Sequence, residues 1–237
     1  MGNIILNNGC SFSAPTRLNF NNGGHFSYCD FLPEEVYNIA HGGAGIYANT
    51  IRTFLNSNWW KLHPYKKPIT HFIYQVPSPT RQLLHLEIQD EEHFLAAPIW
   101  TNAKPAEFRD CREKYKLKTL LERTANVTIF KHQKKYVKKA LLEVEKIVNL
   151  IRSYYPNVKI IFLRYEESGR SLIYEFSKDW FKDDLADFCK KNNITYIYKD
   201  DFHTQWFRKN NLTADKNHPN KAGAEYIGKT LVDMLDL

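Results

Sequence analysis

The sequence has no apolar run near the roughly 20 residues that a membrane-spanning helix requires. Its N-terminus lacks the basic segment followed by an apolar stretch that marks a signal peptide. No zinc-finger spacing, RNA-recognition signature, internal repeat or low-complexity tract is present. We therefore expect neither a membrane span nor a secretion signal, and repeat architectures are excluded.

The sequence has few cysteines, and their spacing matches no paired-cysteine motif. The chain has four cysteines, Cys10, Cys29, Cys111 and Cys189, which lie far apart and form no C-x-x-C motif. In a chain of this size such spacing favours free thiols over a disulfide framework. It predicts a reducing compartment and hence a cytoplasmic protein.

The bulk composition is that of an ordinary globular chain. Of 237 residues, 43% are hydrophobic and 25% are charged, and the net charge is +7. The basic residues are spread out, and the one modest cluster, within 131–139, alternates with apolar positions at helical spacing, as on a solvated helix face. The charge alone gives weak support for an acidic partner. We expect no nucleic-acid binding.

Short runs rich in Ile, Val, Tyr and Phe alternate with helical patterns. The candidate strands are Asn3–Leu6, Val36–Ala40, Ile69–Val76, Val158–Leu163 and Ile194–Tyr198. The candidate helices are Ile46–Leu55, Lys131–Tyr154, Asp179–Lys190 and Pro219–Leu235. This alternation predicts an α/β fold in which helices cover both faces of a parallel sheet.

Two segments interrupt the alternation, around residues 77–130 and 166–180. Each follows a candidate strand, and open α/β sheets bind ligands at the carboxyl ends of their strands. We predict a single domain, residues 1–237, with these two segments as insertions.

Residues suited to acyl transfer stand at the two ends of the chain. The first candidate strand runs into Cys10 and Ser11, and either side chain is a candidate nucleophile. Asp215 and His218 lie three residues apart just before the last candidate helix. A carboxylate at that spacing in a turn can orient the imidazole as a general base.

These residues resemble the motifs of the SGNH (GDSL-like) hydrolases. The block Gly9-Cys10-Ser11 resembles the family's first motif, which makes Ser11 the nucleophile. Asn38, followed five residues later by Gly43, resembles the second, and Asp215 with His218 resembles the last. The resemblance implies a three-layer α/β/α sandwich of about five parallel strands in the order 2-1-3-4-5. It also implies an oxyanion hole that includes the N–H groups of Ser11 and Gly43.

The third motif departs from the family. After its third strand the family carries Gly-x-Asn-Asp, whose asparagine is an oxyanion donor, whereas this chain has YQVPSPTRQ. Gln75 supplies an amide that can take the donor's place, and Arg81 supplies a cation that can bind an acidic part of a substrate.

The resemblance implies ester chemistry on a small-molecule or glycan ester, with an acetylated carbohydrate as the default substrate. Esterase and O-acetyltransferase activity would use the same residues, and a transferase would take its acyl group from a donor such as acetyl-CoA. No metal or redox cofactor is implied. The altered third motif supports an alternative from another class, a non-catalytic glycan-binding or assembly protein on the same fold. The oligomeric state is left open.

Overall fold

A computed structural model describes most of the chain. The described residues are 3–10, 12–17, 24–42, 45–61, 67–77, 81–88, 91–98, 133–165, 181–199, 201–202, 204–214 and 218–235. For 81–88, 91–98, 133–136 and 204–205 only the backbone is described.

The strands form two separate sheets. In chain order they are β1 (Ile4–Asn8), β2 (Glu35–Asn38), β3 (His71–Gln75), β4 (Arg81–Ile88), β5 (Glu91–Pro98), β6 (Lys159–Leu163) and β7 (Thr195–Ile197). Five of them make a parallel sheet in the order β2-β1-β3-β6-β7. This is the order 2-1-3-4-5 expected from the sequence, and the prediction is confirmed.

The second sheet is an antiparallel hairpin of β4 and β5. It lies within the segment 77–130, for which the sequence predicted no regular element. The residues between its strands are Gln89 and Asp90, so the Asn-Gly or Asp-Gly signal of a tight hairpin is missing.

Helices alternate with the strands of the parallel sheet. They are a short 3-10 helix (Tyr28–Phe31), α1 (Ile46–Lys61), α2 (Gln133–Tyr154), α3 (Lys182–Lys191), α4 (Thr204–Lys209) and α5 (Lys221–Leu235). Four of these match candidate helices, whereas the 3-10 helix and α4 were not predicted. Within the described residues, no helix has the length and apolar character needed to cross a membrane.

Each face of the sheet has its own hydrophobic core, because successive strand residues point to opposite sides. Leu6 and Tyr74 lie in the core with residues of α1, α2 and α3. Ile5 and Ile73 lie in the other core with residues of the 3-10 helix, α4 and α5. This is the three-layer arrangement that the alternating elements predicted.

The strand register places the ends of three neighbouring strands together. Asn7 pairs with Asn38 of β2, and Asn8 pairs with Tyr74 of β3. Since the strands are parallel, the residues that follow β1, β2 and β3 leave the sheet at its carboxyl end. The described parts of the first, second and third sequence motifs therefore lie close together there.

Candidate active site

The chain leaves β1 through a very close approach to β3. A Cβ added to Gly9 would lie 2.9 Å from Gln75 Cβ and 3.0 Å from the Gln75 carbonyl oxygen, and it would overlap Ser13 Oγ. Such distances essentially do not occur for real side chains, so this position requires glycine. The first motif thus begins with glycine because a side chain at this position would clash with Gln75 and Ser13.

Gln75 holds the segment that follows Gly9. Its side chain is buried, and its Oε1 accepts hydrogen bonds from Cys10 N at 3.0 Å, Cys10 Sγ at 3.0 Å and Ser13 Oγ at 3.4 Å. The carbonyl of Cys10 in turn accepts from the N–H groups of Ser13 and Ala14, both at 3.1 Å. The two neighbours of Ser11 therefore belong to a turn anchored on the end of β3.

A second set of contacts converges on the Ser13 carbonyl oxygen. It accepts from Asn38 Nδ2 at 2.8 Å, from Ser27 Oγ at 3.1 Å and from Asn7 Nδ2 at 3.4 Å. Asn7 Oδ1 accepts from the Tyr28 hydroxyl at 2.6 Å, and burial raises the pKa of Tyr28 well above its usual value. Neutral donors, all of them buried except the half-buried Asn38, thus fix the far side of the turn.

Asn38 consequently supports the turn. Its Nδ2 donates to Ser13 O and Ser27 Oγ, and its Oδ1 accepts from Asn7 Nδ2. The chain beyond it runs beside the end of β1: Ile39 N donates to Asn7 O at 2.8 Å, and His41 N donates to Gly9 O at 3.3 Å. The segment leading to Gly43 therefore lies against the segment leading to Ser11.

His218 lies against the first motif. Its ring centroid is 5.4 Å from that of Phe12, the residue directly after Ser11. The turn before α5 holds the histidine in place, because Ala214 N donates to His218 O at 2.9 Å and Thr213 bridges to Pro219. The structure thereby joins the two ends of the chain that carry the proposed nucleophile and base.

The start of α5 fixes the position of this turn. Asn220 caps the helix, with its Oδ1 accepting from Gly223 N at 2.9 Å. A methyl group on Gly223 would overlap the Leu212 carbonyl oxygen, so glycine lets the helix pack directly on the preceding chain. The backbone beside His218 is therefore held firmly at the start of α5.

Two further residues of the site were missed from the sequence. His25 meets the ring of His218 edge-on, with centroids 5.3 Å apart, and its backbone pairs with Arg17. Tyr165, two residues after β6, packs on Phe12 at 4.5 Å. The sequence predicted no role for His25, which has no patterned partner. Tyr165 was signalled only by its position after a strand.

Several predicted site residues lie outside the described residues, namely Ser11, Gly43 and Asp215. Arg81 begins β4, and only its backbone is described. The structure brings together Cys10 and Phe12, Gln75 and His218. In the described part of the chain, no three His, Cys, Asp or Glu side chains are grouped to hold a metal ion.

Two cysteines are expected to be inert. Cys29 and Cys189 are buried, and burial raises the pKa of each thiol to about 12. Since the thiolate is the reactive form, both should resist alkylation by iodoacetamide at pH 8 in the folded protein and react after unfolding. Mass spectrometry of digested samples measures this directly. Rapid labelling of either residue in the folded protein would contradict the buried placement.

No protein-family model and no curated protein sequence matches this chain. Solved structures match over nearly the full length. A catalytic mutant of the acetylxylan esterase Axe2 from Geobacillus stearothermophilus is 12% identical, with a TM-score of 0.58 and coverage of 100% of this chain and 96% of that chain. The psychrotrophic esterase EstA from Pseudoalteromonas sp. is 14% identical, with a TM-score of 0.56 and coverage of 99% and 97%.

A lipolytic protein of the G-D-S-L family from Veillonella parvula also matches, with 12% identity, a TM-score of 0.52 and coverage of 98% of each chain. The chain has the SGNH hydrolase fold. This confirms the architecture implied by the three sequence motifs. Identities this low establish a shared fold and leave the chemistry to the residues at the site.

Proposed function

We propose that the protein is a serine esterase of SGNH type. The observation that carries this proposal is the contact between His218 and Phe12, because it places the imidazole beside the residue next to Ser11. The likeness in fold to three lipolytic proteins and esterases supports the same reaction class.

The proposed reaction has two steps. The Ser11 hydroxyl oxygen attacks the ester carbonyl while His218 takes its proton, and the proton then passes to the leaving alcohol as the carbon–oxygen bond breaks. Water next attacks the acyl-enzyme, again losing a proton to His218, and the acid is released with Ser11 regenerated. Asp215 orients the His218 ring throughout.

The negative charge on the carbonyl oxygen requires donors. We assign the backbone N–H groups of Ser11 and Gly43 to this role, together with the Gln75 side-chain N–H. Gln75 Oε1 accepts from Cys10 N, which puts the end of this side chain at the segment next to Ser11. Gln75 would then both anchor the turn and contribute to the oxyanion hole.

The substrate we propose is an acetylated carbohydrate, in keeping with the acetylxylan esterase of similar fold. Arg81 would bind an acidic group on it. An O-acetyltransferase would use the same residues, with acetyl-CoA as acyl donor and a sugar hydroxyl in place of water.

The test uses three measurements on the full chain. We expect the protein to turn over p-nitrophenyl acetate. We also expect a fluorophosphonate probe to phosphonylate Ser11, as located by peptide mass spectrometry. Acetyl release compared with acetyl transfer, with acetyl-CoA and candidate glycans supplied, separates esterase from transferase. Glycan binding without turnover or labelling would overturn the proposal in favour of a binding protein.

Gln75→Ala tests both parts of the glutamine's role. Losing Oε1 leaves the buried Cys10 N–H without this acceptor, so the free energy of unfolding should fall by about 1–3 kcal/mol. Losing the N–H should lower kcat by roughly 10²-fold with little change in KM. Urea unfolding and steady-state kinetics measure the two effects.

Gln75→Glu is the matched variant, because it keeps an acceptor but has no N–H donor. At a pH where the introduced carboxyl is ionised, it should lose at least as much kcat as Gln75→Ala. A Gln75→Glu enzyme with full kcat at that pH would refute the donor role and leave Gln75 as an anchor alone.

A further inference from the structure

Helix α1 carries large apolar residues on its outward side as well as in the core. Ile46 and Trp60 near its ends are buried in the core, and between them the core-facing side carries Asn49, Thr53 and Ser57, all completely buried. Its outward side carries large apolar residues that are 43–58% exposed: Tyr47, Ile51, Phe54, Leu55 and Trp59. A surface helix normally places such residues against the core.

The buried side of α1 is bonded to its neighbours mainly through the backbone. Asn8 Nδ2, at the end of β1, donates to Asn49 O at 3.0 Å and to Thr53 Oγ1 at 2.8 Å. The Tyr155 hydroxyl donates to Ser57 O at 3.2 Å. Among the described residues, Asn49 Oδ1 and Ser57 Oγ have no hydrogen-bond partner. Docking of the helix therefore does not account for its outward apolar residues.

We call these five outward residues, Tyr47, Ile51, Phe54, Leu55 and Trp59, the α1 face. About half of each side chain is exposed, and Trp59 also contacts Tyr37 and Trp60. At roughly 150–250 Å² for each large side chain, the face exposes about 350–600 Å². Apolar patches of this size on soluble proteins often mark interaction sites.

The arrangement of the face is self-complementary. Tyr47, Ile51, Leu55 and Trp59 recur every fourth residue and are symmetric about Thr53. Two such helices packed antiparallel about a two-fold axis would set Tyr47 against Trp59 of the partner subunit and Ile51 against Leu55 of the partner subunit. An isologous interface of this kind needs only one surface patch.

The charges favour a second copy over a lipid surface. Helices that lie on membranes carry Lys and Arg along their polar side. Here the polar side is buried and neutral, and α1 has only Arg52 and Lys61 as charged residues. The five residues of the face carry no charge, and Arg52, one residue from the centre at Thr53, would lie at the rim of the contact in both copies.

We propose that the α1 face is the self-association surface of this protein and pairs with the same face of a second copy. Two faces would bury roughly 700–1,200 Å², which lies below the range of stable specific interfaces and within that of weak, transient ones. The dimer should therefore be reversible, with a dissociation constant in roughly the micromolar range.

The test is sedimentation velocity on the full chain from about 1 to 200 µM, a range set by that expected affinity. The wild type should shift from monomer to dimer with concentration. Leu55→Lys should stay monomeric throughout, because the contact would bury an unpaired charge. Met234→Lys, which changes an equally exposed residue on α5, should dimerise like the wild type.

Thermal unfolding of Leu55→Lys checks that the fold is kept, and Ile51→Ser serves as a second variant if it is not. A wild type that is monomeric at the highest concentration overturns the proposal. So does a dimer that neither Leu55→Lys nor Ile51→Ser weakens. Binding of a monomeric wild type to vesicles containing phosphatidylserine, lost in these variants, would assign the face to a lipid surface instead.

Discussion

We expect Ser11→Ala to lower kcat for p-nitrophenyl acetate by roughly 10³-fold or more, because it removes the atom that forms the acyl-enzyme. KM should change little, since a hydroxyl contributes little to binding the ester. The variant should fold normally and should no longer react with the fluorophosphonate probe.

Cys10→Ala is the matched control, one residue away in the same turn. The Cys10 thiol is buried and its Sγ donates to Gln75, so it has a packing role here. This variant should keep most of its activity. If Cys10→Ala abolished turnover while Ser11→Ala retained it, the nucleophile would be the thiol.

The second large effect is expected for His218. His218→Gln should lower kcat by about as much as Ser11→Ala, and the double variant should lose little more, because nucleophile and base act as a unit. Kinetic measurement of the two single variants and the double variant gives the coupling. Losses that multiply in the double variant would argue against a shared step.

His25→Gln provides a sharp comparison, because the two imidazoles touch. We expect it to reduce kcat by less than roughly 10-fold, as a packing neighbour that does not transfer the proton. Equal losses in His25→Gln and His218→Gln would reopen the assignment of the base.

Much of the fold follows from local sequence patterns. The parallel strands β1, β3 and β6 were predictable because short apolar runs separated by helical patterns leave few other arrangements. The hairpin of β4 and β5 was not, since its strands and turn lack a strong local signal. The motif residues Ser11, Asp215 and His218 were predicted from their order and context along the chain.

The residues that contact them were harder to predict from the sequence. From the sequence we predicted a donor role for the Gln75 amide, and the structure shows that its side-chain oxygen accepts hydrogen bonds from Cys10 and Ser13. Which end of an amide faces a neighbour depends on the donors around it, and these come from segments more than 60 residues away. The contact of His25 with His218 spans almost the whole chain and left no trace in local spacing.

The sequence by itself determined the α/β class, the strand order expected from three short motifs, and the candidate nucleophile and base. Only the tertiary structure decided how the turn around Ser11 is held, which second histidine meets His218, and which side of α1 faces the core. A helical period reveals that Tyr47, Ile51 and Leu55 share a face, but not where that face points. The direction depends on what the sheet side offers the helix: Ile46 and Trp60 pack in the core, and the buried Asn8 amide donates to Asn49 O and Thr53 Oγ1.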